Sequence, residues 1–245
     1  MKYDESRAAG YDTAHAARFA EAESVVDTLA GLLPASRRRR ALELGVGTGR
    51  LAIPLAARNV DVTGIDSSQP MLDRLAHKHG GDGVHAVKGD FTDVAGLVRG
   101  PFDLAYVAFN TLFELPDQEA QVQCVGGVAE VLAPHGVFVV EAIPPDLTRL
   151  EQTLTALAVN ERQAILQATR HDPESQHVSG ADVTISTDGS VRAVPWTIRY
   201  VSVPELDLMA RLAGLRLRHR WGSWHREPFT ATSAVHVSVY ERATP

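Results

Sequence analysis

Three glycines stand on alternate positions in ALELGVGTGR, residues 41–50: Gly45, Gly47 and Gly49. Glycine has no Cβ to block a close approach of backbone to a ligand, and it takes φ > 0 without strain. Set between an apolar strand-like run and a helix start, such a turn offers backbone N–H groups to an anionic group. Two acids accompany it. Glu43 lies inside the apolar run, two residues before the first glycine. Asp66 ends the next run, VDVTGID, 21 residues past Gly45 (66 − 45). A carboxylate at that place accepts bonds from both hydroxyls of a ribose. In KGDF, Gly89 precedes Asp90 and Phe91, where the acid suits an adenine amino group and the ring borders a flat base.

A turn of this kind serves dinucleotides and S-adenosylmethionine (SAM) alike, so finer detail must separate them. The dinucleotide fingerprint counted from Gly45 needs a glycine or alanine at position 50, where Arg50 stands. Glu43 faces a pyrophosphate poorly but suits a ligand that carries an ammonium and a sulfonium. SAM carries both, and its one carboxylate is served by the N–H groups on the helix side. The spacing favours SAM.

An attacking amine must be neutral, and a hydroxyl needs a base. The candidate bases near the strand ends are Glu141, His225, His15 and Asn110. Asn110 and Phe113 follow the fourth strand, where a substrate wall belongs, and Trp221, Trp224 and His225 share the loop WGSWHREPF, where the two tryptophans can frame a planar substrate. None of these is singled out as catalytic. The histidines are scattered without paired ligand spacing, so no metal is expected. Cys124, the one cysteine, falls in an apolar helical pattern and reads as a core residue.

Strand-like and helical runs alternate along the first 142 residues. ALELG, VDVTGID, VHAVKGDF, FDLAYVAF and VFVVEA read as five strands. Helices are expected over 13–33, after the glycine turn, over SSQPMLDRLAHKHG with Ser67 or Ser68 as cap, and over 117–133. Such alternation implies a parallel sheet with helices on both faces. After Pro144 and Pro145 the pattern changes. Residues 146–168 look helical, and two alternating runs around Asp188–Gly189 then read as a hairpin, with Pro195 marking an edge strand. VPELDLMARLAG is a helix, and LRLRHRW and AVHVSVYE complete a seven-stranded sheet. The expected organisation is a lid and SAM-binding core over 1–145, a β-rich insertion over 146–200 covering the substrate site, and completion of the sheet by 201–245.

Taken together, the chain resembles the class I SAM-dependent methyltransferases over nearly its whole length. LELGVGTGR is similar to their glycine-rich first motif, GID to the second and GDF to the third. The resemblance implies an α/β Rossmann-like fold, with Asp66 and Ser67 on the ribose side and Met71 in the adenine pocket. It also places Ala108 and Phe109 beside the methionine portion. A narrower similarity, to small-molecule N-methyltransferases of aminosugars, rests on YDTAHAARFAEAE and the strand-rich insertion. It implies that Tyr11 and Arg18 close over the carboxylate end of SAM, with His15 where a second tyrosine stands. It also implies a homodimer paired through the insertion. The implied activity is methyl transfer to a small-molecule acceptor at N or O; a SAM-binding protein without turnover and an NAD(P)-dependent dehydrogenase are the alternatives.

Composition narrows the partners. The net charge is −6, with 44% hydrophobic and 22% charged residues among 245. An acidic globule is a poor wrapper of nucleic acid, and the (D/N)PP(Y/F) turn of amino-group DNA methyltransferases has no counterpart in AFNT. The run Arg37–Arg40 reads as a solvated linker rather than a phosphate patch. No apolar run reaches the ~20 residues that span a bilayer, and the start lacks a signal-like apolar core, so a cytoplasmic protein without membrane contact is expected.

Overall fold

A computed structural model describes residues 3–35, 39–145 and 152–243. Five strands run parallel: β1 (Arg40–Leu44), β2 (Asp61–Asp66), β3 (Val84–Lys88), β4 (Phe102–Val107) and β5 (Leu132–Ala142). Late in the chain, β10 (Leu215–Trp221) and β11 (His236–Arg242) join them, β11 antiparallel to β5 and β10 antiparallel to β11. The order is β10-β11-β5-β4-β1-β2-β3, a seven-stranded Rossmann-like sheet. Strand direction puts the carboxyl ends of β1 to β5, and hence their glycine, acidic and aromatic loops, on one edge.

Helices cover both faces. Ahead of the sheet lie α1 (Glu5–Ala14), α2 (Ala16–Ala20) and α3 (Ala22–Leu32). The single helix expected over 13–33 is therefore three segments, starting earlier and interrupted at His15 and Glu21. Only α3 buries a full apolar stripe, with Val25, Val26 and Leu29 packed under the sheet. Between the strands come α4 (Ala52–Ala56), α5 (Gln69–His77), α6 (Val94–Leu97) and α7 (Gln118–Val131), and α8 (Val203–Leu212) precedes β10. Cys124 is fully buried on α7. Ser202 and Glu205 form a reciprocal capping box on α8. No helix of the described residues is long and apolar enough to cross a membrane. Arg37 and Arg38 lie outside the described residues. Arg40 bonds the Pro101 carbonyl and pairs with Asp61, serving the sheet edge.

A second sheet follows β5. Its strands are β6 (Thr153–Val159), β7 (Gln163–Asp172), β8 (His177–Ser186) and β9 (Val191–Arg199), antiparallel in the order β6-β7-β8-β9. The hairpin at Asp188–Gly189 joins β8 to β9, and Pro195 is on an edge strand. The helix expected over 146–168 is a correction: residues 153–159 form β6, 163–168 begin β7, and 146–151 lie outside the described residues. Leu154 and Leu157 mimic helical spacing because a register shift between Ala156 and Ala158 interrupts the period of two. Ladder pairing with β8 then outweighs local preference.

The two faces of this sheet are inverted in polarity. The face toward the main domain carries Thr155, Gln167, Asp182 and Val194 in one row, and only its end, Val178, Ile198 and Tyr200, packs on the core. The outward face carries Ala156, Leu166, Val183 and Ala193 in the matching row.

Candidate active site

The crevice forms where β1 lies between β2 and β4, the switch point of the sheet. Gly45, Gly47 and Gly49 all have positive φ, +69°, +55° and +83°. The turn is pinned by Gly45 and Val46, whose N–H groups both donate to the Ile65 carbonyl at 2.8 and 3.0 Å. A Cβ at Gly45 would strike Thr111, and one at Gly49 would strike Ile53. At Gly47 a Cβ meets nothing nearer than 3.9 Å and would fill the open cleft instead. Asp66 braces the turn: Oδ2 accepts from Gly47 N–H and Oδ1 from Ser68 N–H, both at 2.8 Å. Burial raises the Asp66 pKa, and these N–H bonds pull it back. Ser68, rather than Ser67, caps α5.

Two adjoining hollows share Tyr11, Gly45, Gly47 and Thr111 and form one cleft. Asp66, Ser67, Met71 and Phe91 line one part; Glu43, Arg50, Ala108 and Phe109 line the other. The polarity fits SAM along its length. Asp66 faces the place of a diol, Met71 and Phe91 offer apolar walls for a ring, and Glu43 with Arg50 matches an ammonium and a carboxylate. Glu43 is buried, accepts from Tyr106 Oη at 2.9 Å, and is pushed up to about 8 by its burial. Among the described residues no cluster suited to a metal ion occurs.

The roof is α1 and the turn after it. Rings run in a chain from Tyr3 to Tyr11 (5.6 Å), His15 (4.5 Å) and Phe109 (5.3 Å). The Arg18 guanidinium lies 4.8 Å above the Phe109 ring but lines neither hollow; Arg50 does, and bonds the Arg18 carbonyl. Burial, then the charges of Arg50 and Arg18, hold the His15 pKa below the usual range, so its imidazole is neutral at pH 7. Thr48 and Lys78 both reach Asp12, and Arg74 reaches Glu5, fastening α1 over the cleft.

The remaining sequence candidates divide. Phe109 and Asn110 form a left-handed pair after β4, and Glu141 holds it through the Phe109 N–H. Phe113 is fully buried in the core rather than on a substrate wall. Trp224 is buried against α3, where its carbonyl accepts from Thr28, and Trp221 stacks on His219 at 5.2 Å. His225 is exposed beside them, and none of the three lines the cleft. Gly89 packs against Leu97; Asp90 is exposed and uses Oδ1 to cap the Phe91–Asp93 turn.

Tyr3, Val46, Thr48, Thr111 and Glu114 complete the lining and carried no signal in the sequence. The turn Thr111–Glu114 is a 3-10 helix, so residues three apart share a side: Thr111 and Glu114 face the cleft while Leu112 and Phe113 are buried. Arg50 had a signal, its place directly after the last glycine, which weighed only against a dinucleotide.

Residues 41–136 match a family described as Methyltransferase domain. Over 208 residues the chain is 31% identical to the cypemycin N-terminal methyltransferase of a Streptomyces species, covering 83% of each. It belongs to the class I SAM-dependent methyltransferases. The CcbJ methyltransferase of Streptomyces caelestis is 38% identical, with a TM-score of 0.85 over 91% of this chain and 90% of that one. SAM-bound CalS10, an amino pentose methyltransferase of Micromonospora echinaspora, shares the fold at 20% identity, with a TM-score of 0.72 over 95% and 96%. The protein is thus a methyltransferase and SAM is its cofactor.

Proposed function

We propose that this methyltransferase acts on a small-molecule acceptor, at nitrogen or oxygen, bound between the lid and the second sheet. One observation carries this reading. Glu114 borders both the SAM cleft and a groove formed by Arg7, Pro116, Trp196 and Ile198, so the two lie against one shared residue. Its walls are helix α1, strand β9 and the Thr111–Glu114 turn, which leave room for a small molecule. The name of the cypemycin relative supports nitrogen as the attacked atom.

In this reading Glu43, Arg50 and Tyr11, with Arg18 above them, hold the amino-acid end of SAM. Gly45, Gly47 and Gly49 bring the backbone close, Asp66 and Ser67 take the ribose, and Met71, Gly89, Asp90 and Phe91 border the adenine. Ala108 and Phe109 lie beside the methionine portion. Bound SAM supplies a methyl group already activated by its sulfonium. The protein aligns the acceptor and excludes water, and such alignment is worth ~7–11 kcal/mol. His15 stands in the roof of the cleft between Tyr11 and Phe109. Incubating the protein with labelled SAM and a metabolite extract, then analysing labelled products by mass spectrometry, tests the reading; label found on macromolecules alone would sink it.

We also infer a homodimer through the outward face of the second sheet. Leu154, Val159 and Val191 there are 70%, 73% and 66% exposed, and no charge interrupts the three paired rows that cross it. An uncharged flat face matches a second copy of itself under a two-fold axis, and patches of this kind mark contact surfaces.

A further inference from the structure

The inward face of the second sheet is the reverse of what packing alone requires. Thr155, Gln167, Thr169, Asp182 and Thr184 share it with Ile165, Val194 and Trp196, and only Val178, Ile198 and Tyr200 at its end touch the core. Near its centre Asp182 accepts two N–H bonds on the same oxygen, Oδ1: from Gln167 Nε2 at 3.0 Å and from Trp196 Nε1 at 3.1 Å. Trp196 is paired diagonally to Asp182 and directly to Gly180, where a Cβ would sit 2.7 Å from the indole. Gly180 therefore lets the indole lie flat across the sheet and reach the carboxylate. Two neutral donors fix the carboxylate without cancelling its charge. Among the described residues no cation pairs with it and nothing bonds Oδ2.

Its surroundings tie it to the lid. Arg192 on the same face of β9 bonds Ser6 of α1, and Arg7 bonds the Pro195 carbonyl, so the lid meets the sheet at its upper margin. The charge of Asp182 reaches His15, which stands beside Tyr11 and Phe109 in the roof of the SAM cleft. Trp196 also walls the groove that shares Glu114 with that cleft. A fixed carboxylate at the edge of an indole is chemistry for a cation: the free oxygen accepts an N–H, and the open ring face attracts the charge.

We propose that Asp182 and Trp196, supported by Gln167 and Gly180, form the subsite that recognises the amine of the acceptor. This rests on the small-molecule reading above and narrows it to nitrogen. In the transfer the neutral amine's lone pair forms the N–C bond as the S–C bond breaks, leaving a thioether and a methylated ammonium. The positive charge thereby moves from sulfur to nitrogen, and Asp182 stabilises it there; the ammonium proton then leaves to solvent.

The test uses the full chain saturated with S-adenosylhomocysteine, titrated with piperidinium and, as a neutral match, with cyclohexanol. The indole N–H resonance of Trp196, assigned by Trp196→Phe, reports directly on its bond to Asp182. The expected result is a saturable shift with piperidinium and none with cyclohexanol. In Asp182→Asn, which keeps an oxygen for Trp196, piperidinium should bind at least tenfold more weakly, with unchanged affinity for S-adenosylhomocysteine, and Asp182→Glu should restore part of the loss. An Asp182→Asn titration that matches the wild type, or no saturable shift in the wild type, overturns the subsite. A labelled product methylated only on oxygen also overturns it while leaving the small-molecule reading intact. Label on macromolecules alone defeats that reading instead, and the titration still decides whether the amine subsite exists.

Discussion

Glu141, near the end of β5, accepts the backbone N–H of Phe109 through Oε2 at 2.8 Å. Phe109 and Asn110 are consecutive non-glycine residues with φ of +56° and +61°. Such backbone costs about 1–3 kcal/mol per residue and persists only where its surroundings hold it. Asn110 is held by its own amide oxygen, which accepts the Ile143 N–H at 2.7 Å. The pair turns Phe109 toward the SAM cleft and under Arg18, so Glu141 acts as a positioning residue.

Glu141→Ala should release this turn, weakening SAM binding and slowing turnover at least tenfold. Glu141→Gln keeps an oxygen that can accept the N–H and should retain most of the activity. A general base would behave differently, with the Gln variant as inactive as the Ala variant. Steady-state kinetics of the two variants separates the roles.

Glu43 sets a proton linkage. With its pKa about 8 in the free protein, the carboxyl is mostly protonated at pH 7. The proposed contact to the SAM ammonium requires the carboxylate, so binding should release up to one proton and SAM affinity should rise with pH toward about 8. Calorimetry at pH 7 in buffers of different ionisation enthalpy measures the release, and Glu43→Gln should lose it. A wild-type enthalpy independent of buffer would remove the contact. The same raised pKa has a stability sign: the contribution is full below the ordinary carboxylate value near 4.5 and is lost as pH rises through about 8.

The glycine turn, Asp66 and the parallel core were legible because local chemistry dictates residue type there: positive φ selects glycine, and a strand end selects the acid. Elements whose position depends on distant packing were not. Thr111, Glu114 and Tyr3 reach the cleft only through a 3-10 turn and the docking of the N-terminal segment. Phe113 looked like a wall residue because its place after β4 suits one, yet the three-residue turn directs it inward. Trp221 and Trp224 sit at the carboxyl edge as expected, but the Trp224 backbone is tied to α3. The β6 strand hid behind a register shift, and with it the inverted polarity of the second sheet.

Asp66 braces the glycine turn and is also the proposed ribose ligand, so its loss should be read with two measurements. Asp66→Ala removes charge-assisted bonds to Gly47 and Ser68 along with the proposed ribose contact, each worth about 1.5–3 kcal/mol before water compensates. SAM affinity should fall at least tenfold and Tm should drop. A lowered Tm with unchanged affinity would place the ribose elsewhere.

Helix α1 buries only Ala8, and its fastenings at Asp12 and Glu5 are largely exposed, of a kind worth about 0–1 kcal/mol each. It is therefore suited to open and admit SAM. Hydrogen exchange over residues 3–20 should slow when SAM binds, and Asp12→Ala should speed it in the free protein. Equal exchange with and without SAM would reduce α1 to a packing helix.

The outward face of the second sheet gives the last test. Leu166, Val183 and Ile185 lie on it at neighbouring positions of β7 and β8, inside the row ends marked by Leu154 and Val191. A sheet of four strands normally buries one face; here the inward face is in large part polar, and the proposed dimer covers the apolar one. A charge at Val183 lies at the middle of that face, and a two-fold seam brings it near its own copy, so repulsion adds to lost apolar contact. Light scattering of the wild-type chain at micromolar concentration should give twice the chain mass, and Val183→Lys should give the single mass. SAM affinity should be unchanged, because the glycine turn and Asp66 belong to the other sheet. A wild-type chain that scatters as a monomer at that concentration leaves the face without the second copy and refutes the dimer.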